Sequence, residues 1–240
     1  MPNPPSIVPA AIEALARDLR CEICTDHLSR QLYATDASIY QVEPAAVAFP
    51  RTAAEAAEVL AAASAAGIPV APRGAGTGLS GGALGPGIVL DMARHNRAIS
   101  ELDTEARTVR IEAGVVLDQL NAYLAPQGLT FGPDVATSSR ATLGGMIANN
   151  SSGARAPRYG TTAEHLRRLE IALPDGTVTE IGATAEDNTA KLAATMDALI
   201  RPHADEIQRR CHARICMRWP GYGLDRYLDA SQDAGTAPLA

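Results

Sequence analysis

The sequence predicts an α+β fold: a small βαβ subdomain followed by a mixed or antiparallel sheet with flanking helices. Three observations carry this reading. Short apolar runs at 46–50 and 68–72 bracket an alanine-rich stretch at 52–67, the strand–helix–strand order of a βαβ unit. Strand-forming runs follow at 98–103 and 107–114, then on either side of Pro174-Asp175-Gly176, a turn sequence. Directly behind the second strand lies a glycine-rich run, PRGAGTGLSGG, at 72–82.

Residues 10–31 carry Ala, Leu, Arg and Glu with apolar spacing near the helical period, which predicts one or two helices. AVAFP (46–50) is a strand stopped by proline. The helix over 52–67 opens on Thr52 with Glu55 three residues later, and closes on Gly67. GIVLDM (87–92) is the next strand, and 98–103 with 107–114 make a hairpin. VVLDQLNAYLAPQG (115–128) is an amphipathic helix ended by Pro126 and Gly128. A short helix within 141–150 leads into an irregular segment through Gly160. Residues 187–217 read as one long helical stretch, and the last ten or so as frayed.

Composition narrows the function. Net charge is −6 and aromatic residues are 4% of 240, which speaks against nucleic-acid partners. No apolar run approaches the roughly 20 residues that span a bilayer. The proline-rich start, Met1 to Pro9, lacks the order of a signal peptide. The expected location is the cytoplasm, or the inner-membrane surface as a peripheral protein. The four cysteines include Cys21 and Cys24 in a CxxC and Cys211 and Cys216 in a CxxxxC, with His203 and His212 nearby. No second CxxC and no tight histidine pair accompanies the first, so they read as ordinary thiols on helices and no metal is expected.

The glycine run raises the question of which phosphate it serves. Seven glycines fall between Gly74 and Gly87. Glycine lets backbone N–H groups approach an anion closely. A Walker A loop is excluded because no Lys-Ser or Lys-Thr pair closes the run. Gly76-Thr77-Gly78-Leu79-Ser80-Gly81 spells GxGxxG, but a dinucleotide-binding turn of that type needs a helix after it, and here a strand follows. That disfavours NAD. What fits is a nest of N–H groups in a loop between strands, with Thr77 and Ser80 adding hydroxyls and Arg73 the one adjacent cation. A second cluster, FGPDVATSSRATLGGMIANNSSGARAPRYG (131–160), is long, polar and poor in charge. Its hydroxyls, amides and Gly144-Gly145 backbone suit the carbonyls and nitrogens of a flat heterocycle.

Together these motifs resemble the FAD-binding PCMH-type domain of the vanillyl-alcohol-oxidase family: the glycine run, then FGPD, then ATLGGMIANN and RYGTT. YATDASIYQVEP (33–44), EAGVVLDQLNAYL (112–124) and ALPDG (172–176) are similar to the D-lactate and D-2-hydroxyacid dehydrogenase branch. The resemblance runs over about residues 33–182. It implies that Arg73, Gly74, Ala75, Gly76, Thr77, Gly78, Leu79 and Ser80 hold the FAD pyrophosphate. It further implies that Pro133, Asp134, Ala141, Thr142, Gly144, Gly145, Asn149 and Asn150 line the isoalloxazine and ribityl chain. Relatives with covalent flavin carry a histidine in the first loop, where this chain has Thr77, so the FAD is expected to be noncovalent. Asn150-Ser151-Ser152-Gly153 departs from the family's Asn-Ala-Gly-Gly.

The resemblance also sets the expected organisation and chemistry. Residues 1–41 would be an N-terminal helical extension, and 42–182 the FAD domain, with lobes at about 42–92 and 93–182. Residues 183–240 would be a C-terminal helical segment, short of the family's closing segment and substrate domain. The implied activity is that of a dehydrogenase oxidising a D-2-hydroxy acid such as D-lactate, with hydride passing to flavin N5 and electrons leaving to a quinone, cytochrome or iron–sulfur protein. The alternative is a flavin-binding module or split subunit, silent until a partner chain supplies the substrate domain. The family's substrate arginines and active-site histidines fall outside the matched motifs, so His95, His165 and His203 read as surface or packing residues. The isolated chain is expected to bind FAD weakly, to turn over no hydroxy acid, and to self-associate through an exposed sheet edge.

Overall fold

The computed structural model describes residues 9–182, 187–211 and 222–230. They divide into two compact units: the first holds residues 9–165 with 172–178, and the second holds 166–171 with the described residues from 179 onward.

The first unit opens with helix α1 (Pro9–Asp18), strand β1 (Glu22–Cys24) and helix α2 (His27–Leu32). The stretch expected to be purely helical is thus broken by a strand, and Cys21 and Cys24 do not lie on a helix. The cause is tertiary. Glu22-Ile23-Cys24 pairs antiparallel with strand β2 (Ala46–Phe49), and a ready strand edge overrides helix propensity. Helix α3 (Ala53–Ala65) then crosses to strand β3 (Val70–Arg73), and strand β4 (Ile88–Asp91) follows the glycine run. The sheet order is β1-β2-β4-β3, with β4 parallel to both β2 and β3. β4 is therefore inserted between the two strands of the expected βαβ unit. β2 and β4 are buried at all four positions, as befits central parallel strands.

Local chemistry fixes α3 at both ends. The Thr52 hydroxyl accepts from Glu55 N–H at 3.1 Å, and the Glu55 carboxylate accepts from Arg51 N–H at 2.7 Å. At the other end Gly67 has φ +66°, its N–H donates to Ser64 O, and Ile68 N–H donates to Ala63 O. Ala56, Val59 and Ala63 of α3 share one core with Ala46, Ala48, Ile68, Ile88 and Leu90. Small side chains let the helix lie close upon the sheet.

Cys21 is sealed into this core at 3% exposure, and burial pushes its thiol up to about 11. Iodoacetamide at neutral pH is expected to leave Cys21 unmodified in the native chain and to label it on unfolding, read by peptide mass spectrometry. Prompt native labelling would show that α1 opens readily.

The rest of the first unit begins with the hairpin of β5 (Ile99–Asp103) and β6 (Thr108–Ile111), antiparallel with a bulge between Ser100 and Asp103. Helix α4 (Leu117–Leu124) ends in a 3-10 turn at Ala125–Gln127 and Gly128, as Pro126 and Gly128 predict. Helix α5 is Leu143–Ala148, and a short helix α6 (Ala156–Tyr159) forms within the segment expected to be irregular. Val115, Leu117, Leu120, Leu124, Ala141, Leu143 and Met146 make the second core, on which the hairpin lays Ile99, Val109 and Ile111. Buried Asn96 ties this part to β2's end by donating to Pro50 O at 2.9 Å.

The second unit contains most of strands β7 (Arg168–Ala172) and β8 (Val178–Gly182), which form a sheet of their own. The second-lobe strands thus make two separate two-stranded sheets. Helices α7 (Asp187–Ile200) and α8 (Ala204–Arg210) replace the expected continuous helix, because Pro202 lacks an N–H and turns the chain through a 3-10 segment at Arg201–His203. Residues 212–217 of that stretch, with Cys216 and His212, lie outside the described residues, as do 231–240. Helix α9 (Leu224–Ala230) brings Tyr227 and Leu228 against Ile200 and Ile207. The Tyr227 hydroxyl donates to Asp197 at 2.9 Å, which with Arg201 at 3.0 Å holds that carboxyl below its usual range.

Candidate cofactor-binding site

The glycine loop leaves β3 at the edge of the sheet and returns through β4. Among the described residues, none accepts a hydrogen bond from the backbone N–H groups of Gly74, Ala75, Gly76, Thr77, Gly78, Leu79 or Ser80. The loop is half-buried to exposed, and Leu79 is 78% exposed. A row of unpaired donors on a glycine backbone is the arrangement that receives an anion. Gly76 needs its glycine, with φ +67°. Gly78 has open space around it instead: a Cβ there meets nothing within 4 Å.

Residues 33–40 pack on this loop, a contact that no local sequence signal announces. Arg73 Nη2 donates to Thr35 O at 2.9 Å, and Nη1 lies 3.5 Å from Tyr33 O. The guanidinium carbon sits 5.2 Å from the centre of the Tyr33 ring. Ala37 N–H donates to Gly76 O at 2.9 Å. Tyr33 in turn donates its hydroxyl to the Asp91 carboxylate on β4, and burial pushes the phenol well above its ordinary value. Tyr33, Thr35 and Ala37 were absent from the residues expected at the site.

The second loop meets the first at Gly74 and Thr142. Gly74 approaches Thr142 so closely that a Cβ on it would lie 2.1 Å from Thr142 Oγ1. That hydroxyl is buried, the residue being 3% exposed, and it has no hydrogen-bond partner among the described residues. It lies 3.3 Å from where a Gly145 Cβ would stand. Gly74, Thr142 and Gly145 are thus brought together, as the sequence requires if both loops serve one ligand. Ala141 and Thr142 are anchored by Leu117 N–H donating to Ala141 O and by the antiparallel bridge of Val116 with Thr142. Gly144 N–H donates to Ala113 O at 2.8 Å, and a Cβ at Gly144 would strike Ala113.

Other expected residues have structural duties that can be named. Asp134, after Pro133, bridges Gly153 and accepts from Arg155 N–H at 2.9 Å and Arg155 Nε at 3.0 Å. Asn149 Nδ2 donates to Gly145 O at 2.9 Å. Asn150 has φ +44° and closes α5: its N–H reaches Ile147 O while Ser151 N–H reaches Met146 O. Its amide oxygen accepts from Ala163 N–H at 3.0 Å. His165 places Nε2 2.7 Å from Tyr159 O and its ring against Phe131, while His95 keeps Nε2 buried. Among the described residues no group of His, Cys, Asp and Glu is arranged to hold a metal ion, and no helix is long and apolar enough to cross a membrane.

The residues present fit a dinucleotide. The seven unpaired N–H groups match a pyrophosphate, and the buried Thr142 hydroxyl beside two glycines is a polar atom awaiting a partner.

Comparison with known proteins agrees. The family described as FAD binding domain matches residues 44–182, more than half of the chain. D-2-hydroxyglutarate dehydrogenase of Haemophilus influenzae is 39% identical over 206 residues, covering 82% of this chain and 20% of that protein. The Escherichia coli K12 protein of the same name is 43% identical over 160 residues, 65% of this chain and 16% of that one. D-lactate dehydrogenase of Anaerostipes hadrus is 38% identical over 125 residues, 51% of this chain and 26% of that one. The chain therefore spans about a fifth of the length of these relatives. Among solved structures, Physcomitrella patens BBE-like 1 superimposes with TM-score 0.65 at 19% identity, over 75% of this chain and 39% of that one. An alkyldihydroxyacetonephosphate synthase gives 0.63 at 22%, over 75% and 36%; both show the shared fold. With the glycine loop and the Thr142 segment both inside the matched region, the chain belongs to the FAD-binding domain family, in its PCMH-type form, and its cofactor is FAD.

Proposed function

We propose that this chain is the flavin-binding part of an FAD-dependent dehydrogenase acting on a D-2-hydroxy acid of the D-2-hydroxyglutarate or D-lactate kind. The observation that carries the reading is the meeting of Gly74 with the unpartnered Thr142 hydroxyl, which joins two separate loops into one cradle. In it the N–H groups of residues 74–80 receive the pyrophosphate, and the Thr142–Gly145 segment lines the isoalloxazine and ribityl chain. Asp134, Asn149 and Asn150 support this lining by holding the second loop closed. When bound, the flavin supplies at N5 the acceptor for hydride from the substrate C2.

A second reading, a module that turns over only with a partner chain carrying the substrate domain, is favoured by the histidines. His95 Nε2 is buried and His165 Nε2 is taken up by Tyr159 O, so neither of these two offers a free base to a substrate hydroxyl. The electron acceptor in either case is a quinone, a cytochrome or an iron–sulfur protein.

The flavin is held without a covalent bond, because Thr77 and its loop neighbours offer no histidine for attachment. Acid precipitation is expected to release all yellow colour into the supernatant; colour in the pellet would refute this. Bleaching of the bound flavin by D-2-hydroxyglutarate or D-lactate, with and without the substrate domain supplied in trans, separates the two readings. No flavin uptake at all would overturn both.

A further inference from the structure

We propose that Arg73 is a positioning residue for flavin binding, a strut that sets the glycine loop, and not the counter-ion of a phosphate. The proposal rests on the FAD reading of that loop. The resemblance implies that Arg73 binds the pyrophosphate, and as the one cation beside the loop it would be the obvious choice. The structure directs its guanidinium elsewhere. Nη2 is spent on Thr35 O at 2.9 Å, and Nη1 points to Tyr33 O at 3.5 Å. Its Cζ lies over the Tyr33 ring, 5.2 Å from the centroid. On its other side the group abuts Gly76, where a Cβ would come within 2.7 Å of Nη2 and 3.0 Å of Cζ. The guanidinium thus fills the gap between residues 33–35 and the loop.

Each part of this strut is itself held. Tyr33 is fixed through its hydroxyl to Asp91, and Asp91 pairs in register with Arg73 across β3 and β4. Asp91 Oδ1 also accepts from Ala93 N–H at 2.6 Å and Arg94 N–H at 2.9 Å. The path runs from the sheet to Asp91, Tyr33, Arg73 and Gly76, whose carbonyl is drawn toward Ala37 N–H. The donors of residues 74–80 have no partners within the described chain, so their direction depends on this support. No carboxylate of the described residues forms an ion pair with Arg73. What is used is the shape of a flat fork with several donors, and lysine cannot reproduce that shape.

The variants Arg73→Lys, Arg73→Met and Tyr33→Phe test this with two readouts. The first uses no flavin: chymotrypsin cleavage after the exposed Leu79 reports how often the loop opens. Both Arg73 variants are expected to be cut roughly tenfold faster than the native chain, and Tyr33→Phe, which removes only the hydroxyl bond to Asp91, severalfold faster. The second is titration with FAD by fluorescence quenching at low and high NaCl. Both Arg73 variants should bind roughly tenfold more weakly, with the native salt dependence retained.

If Arg73→Lys binds like the native chain while Arg73→Met loses affinity and flattens the salt dependence, Arg73 is the phosphate counter-ion and the proposal is overturned. Native cleavage rates in Arg73→Lys and Tyr33→Phe would overturn it equally. A native chain that takes up no FAD refutes the FAD reading, while the cleavage measurement still decides whether the strut exists. Tyr33→Phe keeps that decision open should either Arg73 variant fail to fold.

Discussion

Gly78→Val is expected to fold and melt like the native chain and yet lose its flavin. The site has open space around it, with no atom of the described residues within 4 Å of a Cβ and no positive φ to strain the new residue. A ligand lying against the loop is then the expected obstacle to the new side chain. Displacing a pyrophosphate from two neighbouring N–H donors removes charge-assisted hydrogen bonds, which together amount to roughly a hundredfold or more in affinity. Gly82→Ala is the matching control, because Gly82 is equally open but lies beyond the proposed cradle. FAD titration with thermal melts of both variants makes the comparison. A flavin-loaded Gly78→Val protein would show that the pyrophosphate does not rest on this loop.

Gly153→Ala is expected to do the opposite, damaging the fold first and the flavin site through it. Gly153 has φ +92°, and a Cβ there would stand 1.8 Å from the backbone oxygen of Asp134. Because the obstruction is backbone, it cannot swing aside. The bridge of Asp134 with Gly153 and the ion pair of Asp134 with Arg155 close the long second loop at that point. Forcing them apart should cost about 3 kcal/mol or more. For a chain of this size that lowers the melting temperature by roughly 6 °C or more. Differential scanning calorimetry and the flavin content of the purified protein are the measurements. An unchanged melting temperature would mean the loop opens at Asp134 without loss.

The parts of this molecule that were legible in the sequence are those whose causes are local. Thr52, Glu55 and Gly67 announce α3 because each acts on backbone groups within four residues of itself. Pro126 with Gly128 ends α4 in the same way. The glycine run was legible as a loop between two strands because the lack of side chains is itself the signal. What was hidden depends on distant partners. Cys21 to Cys24 reads as helix until β2 supplies an edge, and Asn150 reads as a flavin contact although its φ and its bond to Ala163 also make it the cap of α5. The commitment of Arg73 to carbonyls near position 35 leaves no mark in either stretch of sequence. Pro202 was a local signal, and it ends α7 where a single helix had been expected.

The placement of β4 between β2 and β3 has a consequence for how the chain folds. The two outer partners are made first and have no hydrogen bonds to each other; the strand that joins them arrives last, from the far side of the glycine loop. Closing those long intervals costs chain entropy before any parallel ladder repays it, so assembly of this sheet is a late and slow event. A nascent chain released up to residue 87 has the sequences of α3, β1 and β2 but lacks the strand that pairs with both β2 and β3. The glycine loop is therefore expected to acquire its shape in the same step that seats Ile88–Asp91. Apoprotein refolding should show one rate for sheet formation and for appearance of flavin-binding competence.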